Sequence, residues 1–134
     1  MADRAPVEGV NPVAGCDNRH RELDVVFVHG LGGDAFETWM IDAQPESFWP
    51  KWVHEQLPEV GVWTIAYEAE KTKWTGDALA LPDRATDVLD RLQLAGIGDR
   101  PIVFVVHSLG GLVIKQALRN ASSFKDDDLS LIHI

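Results

Sequence analysis

The chain has 134 residues, enough for one domain with a hydrophobic core, and its 46% hydrophobic and 25% charged residues suit an ordinary globular protein. A formal net charge of -9 argues against nucleic acid as the main partner, since phosphate recognition needs clustered Lys and Arg, and gives no electrostatic reason to favour an anionic membrane surface. The single cysteine, Cys16, excludes an intrachain disulfide and a cysteine-based metal site.

Residues 1–21 follow no hydrophobic period and hold Pro6, Gly9, Pro12 and Gly15. They are expected to form a poorly ordered lead-in, with Cys16 an incidental residue inside it. Asp3, Arg4 and Glu8 interrupt any apolar h-region, so no secretory signal is expected, and the acidic residues speak against a transit peptide. The expected setting is the cytoplasm or the periphery of an intracellular membrane. The domain itself is expected over residues 22–134.

Leu23 to Val28 is a short, nearly all-apolar run ended by His29-Gly30, and it reads as a strand buried on both faces. The glycine-rich loop Gly30-Leu31-Gly32-Gly33 follows. Ser47 is placed to cap a helix that Pro50 tolerates in its first turn and Pro58 stops; Trp49, Trp52, Val53 and Leu57 would share its apolar face. Val60 to Tyr67 is a second strand candidate. Pro82 opens and Gly96 closes a helix with Leu81, Ala85, Val88, Leu89 and Leu92 on one stripe. Ile102 to Val106 is a third buried strand. It is also the longest strongly apolar run, far too short to span a membrane. Leu109 to Ala121 reads as a helix whose one polar stripe is Lys115, Gln116, Arg119 and Asn120. The acidic run Asp126 to Asp128 reads as a solvated turn rather than a metal site, and a fourth strand could start at Leu129.

Strand and helix alternate, and this builds a parallel sheet with right-handed crossovers and helices on both faces. The expected fold is α/β, with three to four parallel strands and residues 23–28 in the middle.

The sharpest chemical signal is Val106-His107-Ser108-Leu109-Gly110-Gly111, between a buried strand and an apolar helix. A serine on such a tight turn is thrust out at the C-terminal edge of the sheet as a nucleophile. The turn crowds the residues two before and two after the serine, and Gly110 meets that constraint. The helix start offers the Leu109 N–H as one oxyanion donor, and the loop of His29, Gly30, Leu31 and Gly32 reaches the same edge to offer the Leu31 N–H as a second. Alone, Ser108 could be an ordinary helix cap; the second glycine-rich loop at the same edge favours the nucleophile. His107 and His29 read as site-wall and loop-bracing residues, and His54 as a surface residue without a role. The five tryptophans, Trp39, Trp49, Trp52, Trp63 and Trp74, read as core or pocket wall.

One rival reading comes from another class. Gly30-Leu31-Gly32-Gly33-Asp34-Ala35 fits the loose dinucleotide pattern after a strand. The acidic residue expected about 20 positions on is missing, since Glu68 and Glu70 come too late, and Ser108 is left unexplained.

Asp24 to Gly33, Phe36 to Trp39, Phe48-Trp49-Pro50 and Pro101 to Leu118 together resemble the α/β-hydrolase superfamily. More narrowly, they resemble the lipase-like serine hydrolases of the serine active site containing family. The resemblance implies a serine esterase or lipase acting on small-molecule or lipid esters, phospholipids among them, without cofactor or metal. Two departures stand out. Val106 occupies the place of a small residue. The acid and histidine that follow the serine in this superfamily have no clear counterparts, since only Asp126, Asp127, Asp128 and His133 remain after Ser108. They are expected beyond Ile134, which makes the chain the N-terminal part of its domain and, alone, a poor enzyme. A catalytically inactive binding module of the same fold is the alternative.

Overall fold

A computed structural model describes residues 9–30, 32–67, 80–123 and 131–133, with the backbone alone at 80, 123 and 131–133. Strands β1 (Gly9–Ala14), β2 (Leu23–Val28), β3 (Val60–Ala66), β4 (Ile102–Val106) and β5 (Leu131–His133) form one sheet in the order β1-β3-β2-β4-β5. β2 is central and runs parallel to both neighbours; Val26 is in register with Trp63 on one side and Phe104 on the other. β5 adds a fourth parallel strand beside β4.

The β2 sequence explains its place. Val25 to Val28 are at most 6% exposed, so residues pointing to either face must be apolar. On one face Val26, Val28, Trp63, Ile65 and Phe104 pack against helices α2 (Ala80–Leu94) and α3 (Leu109–Ser123) through Val88, Leu92, Val113 and Ile114. On the other, Val25, Phe27, Val60 and Val62 meet Trp39, Phe48 and Val53, the last from α1 (Trp49–Gln56). Phe27 anchors an aromatic cluster there, edge-on to Trp39 at 5.1 Å and to Trp49 at 4.9 Å between ring centroids.

α2 ends as its glycine requires. Gly96 takes φ +76°, and the Ile97 N–H donates back to the Leu92 carbonyl at 3.0 Å, closing the last turn.

Four expectations need correction. Residues 9–14, taken with the unstructured lead-in, are the antiparallel edge strand β1, paired from Gly9↔Ala66 to Ala14↔Val62. Pro12 is tolerated because β1 pairs only with β3 and its register shifts between Pro12 and Ala14. Cys16 is accordingly half-buried, donating its thiol to the Val62 carbonyl at 3.1 Å, and burial pushes that thiol's pKa up. Ser47 does not cap α1. Phe48 holds that position, and the Ser47 hydroxyl instead accepts from the Ile41 N–H at 2.7 Å and donates to the Gln44 carbonyl. The expected apolar face of α1 is only partly covered, with Trp52 and Leu57 each 50% exposed.

Candidate active site

β4 ends at Val106, α3 begins at Leu109, and only His107 and Ser108 lie between them. Ser108 completes it with φ +53°, the left-handed region that non-glycine residues avoid. Among the described residues only Asp42 and Ala43, within one loop, share this property. Ser108 alone has it at a junction from strand to helix. The turn is stitched by the His107 N–H to the Val28 carbonyl and by Gly110 N–H to the His107 carbonyl, each at 3.0 Å. Ser108 and His107 are both exposed.

The two glycine-bearing segments meet. A Cβ on Gly30 would lie 2.7 Å from the His107 carbonyl oxygen and 2.8 Å from the Ser108 Cβ. A Cβ on Gly110 would lie 2.6 Å from both the Val28 and the His29 carbonyl oxygens. Neither position has room for a side chain, so the absence of one is what lets the loop after β2 lie against the serine turn. Gly32 takes φ +73°, and the Gly33 N–H donates to the Gly30 carbonyl at 3.0 Å. Leu31, the expected second oxyanion donor, lies outside the described residues; its neighbour Gly30 is the part of that loop against Ser108. Leu109, the first expected donor, opens α3 beside it.

Val106 is not among the three nearest atoms to a Cβ placed on Gly110. The tight contact of Gly110 is with the end of β2, and Val106 Cγ2 lies instead 3.4 Å from where a Cβ on Gly111 would be. A valine is therefore accommodated against a second glycine.

The histidines sort by their partners. His29 is 1% exposed, and its Nδ1 lies 3.0 Å from the Gly30 carbonyl oxygen. Burial lowers its pKa, so the ring is held neutral, as suits a brace and not a base exposed to substrate. Tyr67 stacks on this ring at 4.4 Å, and its hydroxyl donates to the His29 carbonyl at 2.5 Å. Neither Tyr67 contact was foreseen from sequence. His54, read as lacking a partner, has Nδ1 3.0 Å from the Val60 carbonyl oxygen and packs beside Gly15. His133 stands in register with Phe104, inside the sheet rather than on a loop past its C-terminal edge. Among the described residues, nothing hydrogen-bonds the Ser108 hydroxyl, and no group of three or more metal-ligating side chains occurs. Among them, too, no helix is long and apolar enough to cross a membrane. Trp39 and Trp63 are core, Trp49 and Trp52 are 37% and 50% exposed, and Trp74 lies outside the described residues, as do Asp126 to Asp128.

The dinucleotide alternative fails on geometry. A pyrophosphate would need an α-helix N-terminus directly after the glycine loop. The chain enters instead a three-residue 3-10 turn, Glu37–Trp39, and the Asp34 carboxylate already accepts from the Phe36 and Glu37 N–H groups at 2.7 and 2.6 Å.

Comparison with known proteins agrees with this geometry. The family described as "Alpha/beta hydrolase family" matches residues 25–131. The chain is 33% identical to "Protein SERAC1" of Danio rerio over 84% of its own length and 20% of the relative's. It is also 33% identical to "Protein SERAC1" of Homo sapiens, over 76% of its own length and 18% of the relative's. The chain thus spans about a fifth of the length of these curated relatives. No solved structure gives a significant match.

Proposed function

The chain belongs to the alpha/beta hydrolase family, and we propose that it carries the nucleophile and oxyanion side of a serine esterase of lipase type, acting on carboxylic esters of small molecules or lipids, phospholipids included. The observation that carries this reading is the left-handed, exposed Ser108 between β4 and α3 with Gly30 packed against it.

In this reading Ser108 Oγ attacks the ester carbonyl carbon. The N–H groups of Leu109 and Leu31 stabilise the developing oxyanion, and the Gly30 backbone and the Gly110 turn hold the two donors at one place. The bond to the leaving alcohol then breaks, and water hydrolyses the acyl-serine. A base must take the Ser108 proton. No described histidine hydrogen-bonds Ser108, and we assign base and acid to residues outside those described.

The test is active-site labelling. Full-length protein carrying this chain is treated with a fluorophosphonate and assayed on activated esters, alongside Ser108→Ala. Labelling at Ser108 and ester turnover are expected, both falling to background in the variant, where only the roughly 10³–10⁴-fold gain over water from the oxyanion hole and binding would remain. A folded protein that neither labels nor turns over esters would establish the inactive binding module instead.

A further inference from the structure

We infer that Tyr67 is a positioning residue for the oxyanion loop, acting from the end of β3 through His29; the inference rests on the hydrolase reading above. Two consecutive peptide planes link Tyr67 to this loop. The His29 carbonyl is gripped by the Tyr67 hydroxyl at 2.5 Å. The Gly30 carbonyl is gripped by His29 Nδ1 and by the Gly33 N–H, each at 3.0 Å. A carbonyl oxygen can only accept, so Nδ1 carries the proton, and burial keeps this ring in its neutral form.

Whatever fixes the Gly30 carbonyl therefore fixes the backbone that lies against Ser108, where a Cβ on Gly30 would come within 2.8 Å of the Ser108 Cβ. His29 holds that carbonyl only while its own ring is held, and the ring is 1% exposed and lies flat against Tyr67, with an interplanar angle of 16°. Tyr67 is itself buried, 7% exposed. Burial pushes its phenol pKa far up, so the hydroxyl stays protonated and remains a donor at any working pH. It thus fixes His29 twice, at the carbonyl and at the ring, and the same carbonyl is one of the two oxygens against Gly110 at the start of α3. Tyr67 is in this way tied to both segments that flank Ser108, the Gly30 backbone and the start of α3.

Tyr67→Phe removes the hydroxyl and keeps the stacking ring. In full-length protein, Ser108 is expected to label with a fluorophosphonate about tenfold more slowly, short of the 10²–10³-fold loss from deleting an oxyanion donor, with probe affinity unchanged. Turnover of an oxoester is expected to fall while its KM holds. The matching thionoester, whose sulfur accepts hydrogen bonds poorly, is expected to be hydrolysed at nearly the wild-type rate. A merely structural role would slow both substrates alike and would overturn the proposal. So would a folded variant that labels at the wild-type rate, and in that case the hydrolase reading survives. Wild-type protein that does not label at Ser108 removes that reading and this inference with it. Should the variant fail to fold, the ¹⁵N shifts of His29 in wild-type protein decide: a neutral ring protonated at Nδ1 supports the inference, and one protonated at Nε2 overturns it.

Discussion

At the N-terminal end of β2, Asp24 is fully buried and completely engaged. It accepts from Arg21 Nε at 2.6 Å and Arg21 Nη2 at 3.3 Å, and from the Trp63 indole at 2.8 Å. At the other end of the same strand, Gly30 packs against Ser108, whose hydroxyl is exposed and whose backbone is strained. Both ends use a glycine to bring groups together. Gly61 leaves the space where a Cβ would sit 2.6 Å from Asp24 Oδ1, and Gly30 leaves the space beside Ser108. One end gathers polar groups until every one is satisfied. Arg100 extends this by donating to the Arg21 carbonyl at 3.0 Å and the Arg19 carbonyl at 2.8 Å. The other end brings the Gly30 backbone against an exposed Ser108, the residue proposed as nucleophile. The strained backbone at the second end is held by a central strand buried on both faces.

Asp24→Ala breaks this comparison most severely. It leaves the Arg21 guanidinium buried, 8% exposed, without its carboxylate, and removes the Trp63 indole's acceptor. Breaking a buried pair from one side costs about 3–5 kcal/mol, a large part of a small domain's stability. Urea unfolding should show a loss of that size. At temperatures where the variant is still folded, the Ser108 labelling rate should stay within about threefold of wild type. A loss below about 1 kcal/mol would mean that solvent relaxes into the site and that this end is not the anchor it looks like.

Gly110→Ala tests the opposite end with a smaller stability effect and a larger functional one. The new methyl would sit 2.6 Å from two backbone oxygens at the end of β2, so the start of α3 must move away. Overpacking of this kind costs about 1–3 kcal/mol. The proposed Leu109 donor moves with it, and labelling should slow by more than tenfold while thermal unfolding remains cooperative. Unchanged labelling would detach Leu109 from the oxyanion.

The two ends also differed in how much of them could be read from the sequence. The Ser108 turn was legible because its constraints are local. A serine between an apolar strand and an apolar helix, with glycine two residues on, occupies six consecutive positions, and a second glycine-rich loop confirms the edge. Asp24 was passed over as one polar residue in a strand, since its partner Trp63 lies 39 positions away and only the parallel register of β2 with β3 unites them. Tyr67 was read only as the end of a strand for the same reason, being 38 positions from His29. β1 was missed because Gly9, Pro12 and Gly15 are loop residues by every local rule, and an edge strand with a register shift is the one setting that accepts them.

Val106 supplies the smallest effect and the finest test of the comparison. The sequence marks it as the wrong residue at the tight turn, which would make it a brake on catalysis. The structure places its Cγ2 where only a hypothetical Gly111 side chain would approach, at 3.4 Å, an ordinary contact distance, and packs it on the edge of the core facing α2 and α3. The closest approaches to a Cβ on Gly110 are the Val28 and His29 carbonyl oxygens, each at 2.6 Å. Val106→Ala therefore relieves nothing. It removes two methyl carbons from a half-buried site, worth about 1 kcal/mol once partial exposure is allowed for. The Ser108 labelling rate should stay within about twofold of wild type. If Val106 instead distorts the turn, shortening it would let α3 settle closer to β2, and labelling would accelerate by tenfold or more with stability unchanged or improved. That outcome would place the strain of this end in the strand rather than in Ser108 itself, and would make the valine a feature that restrains the site.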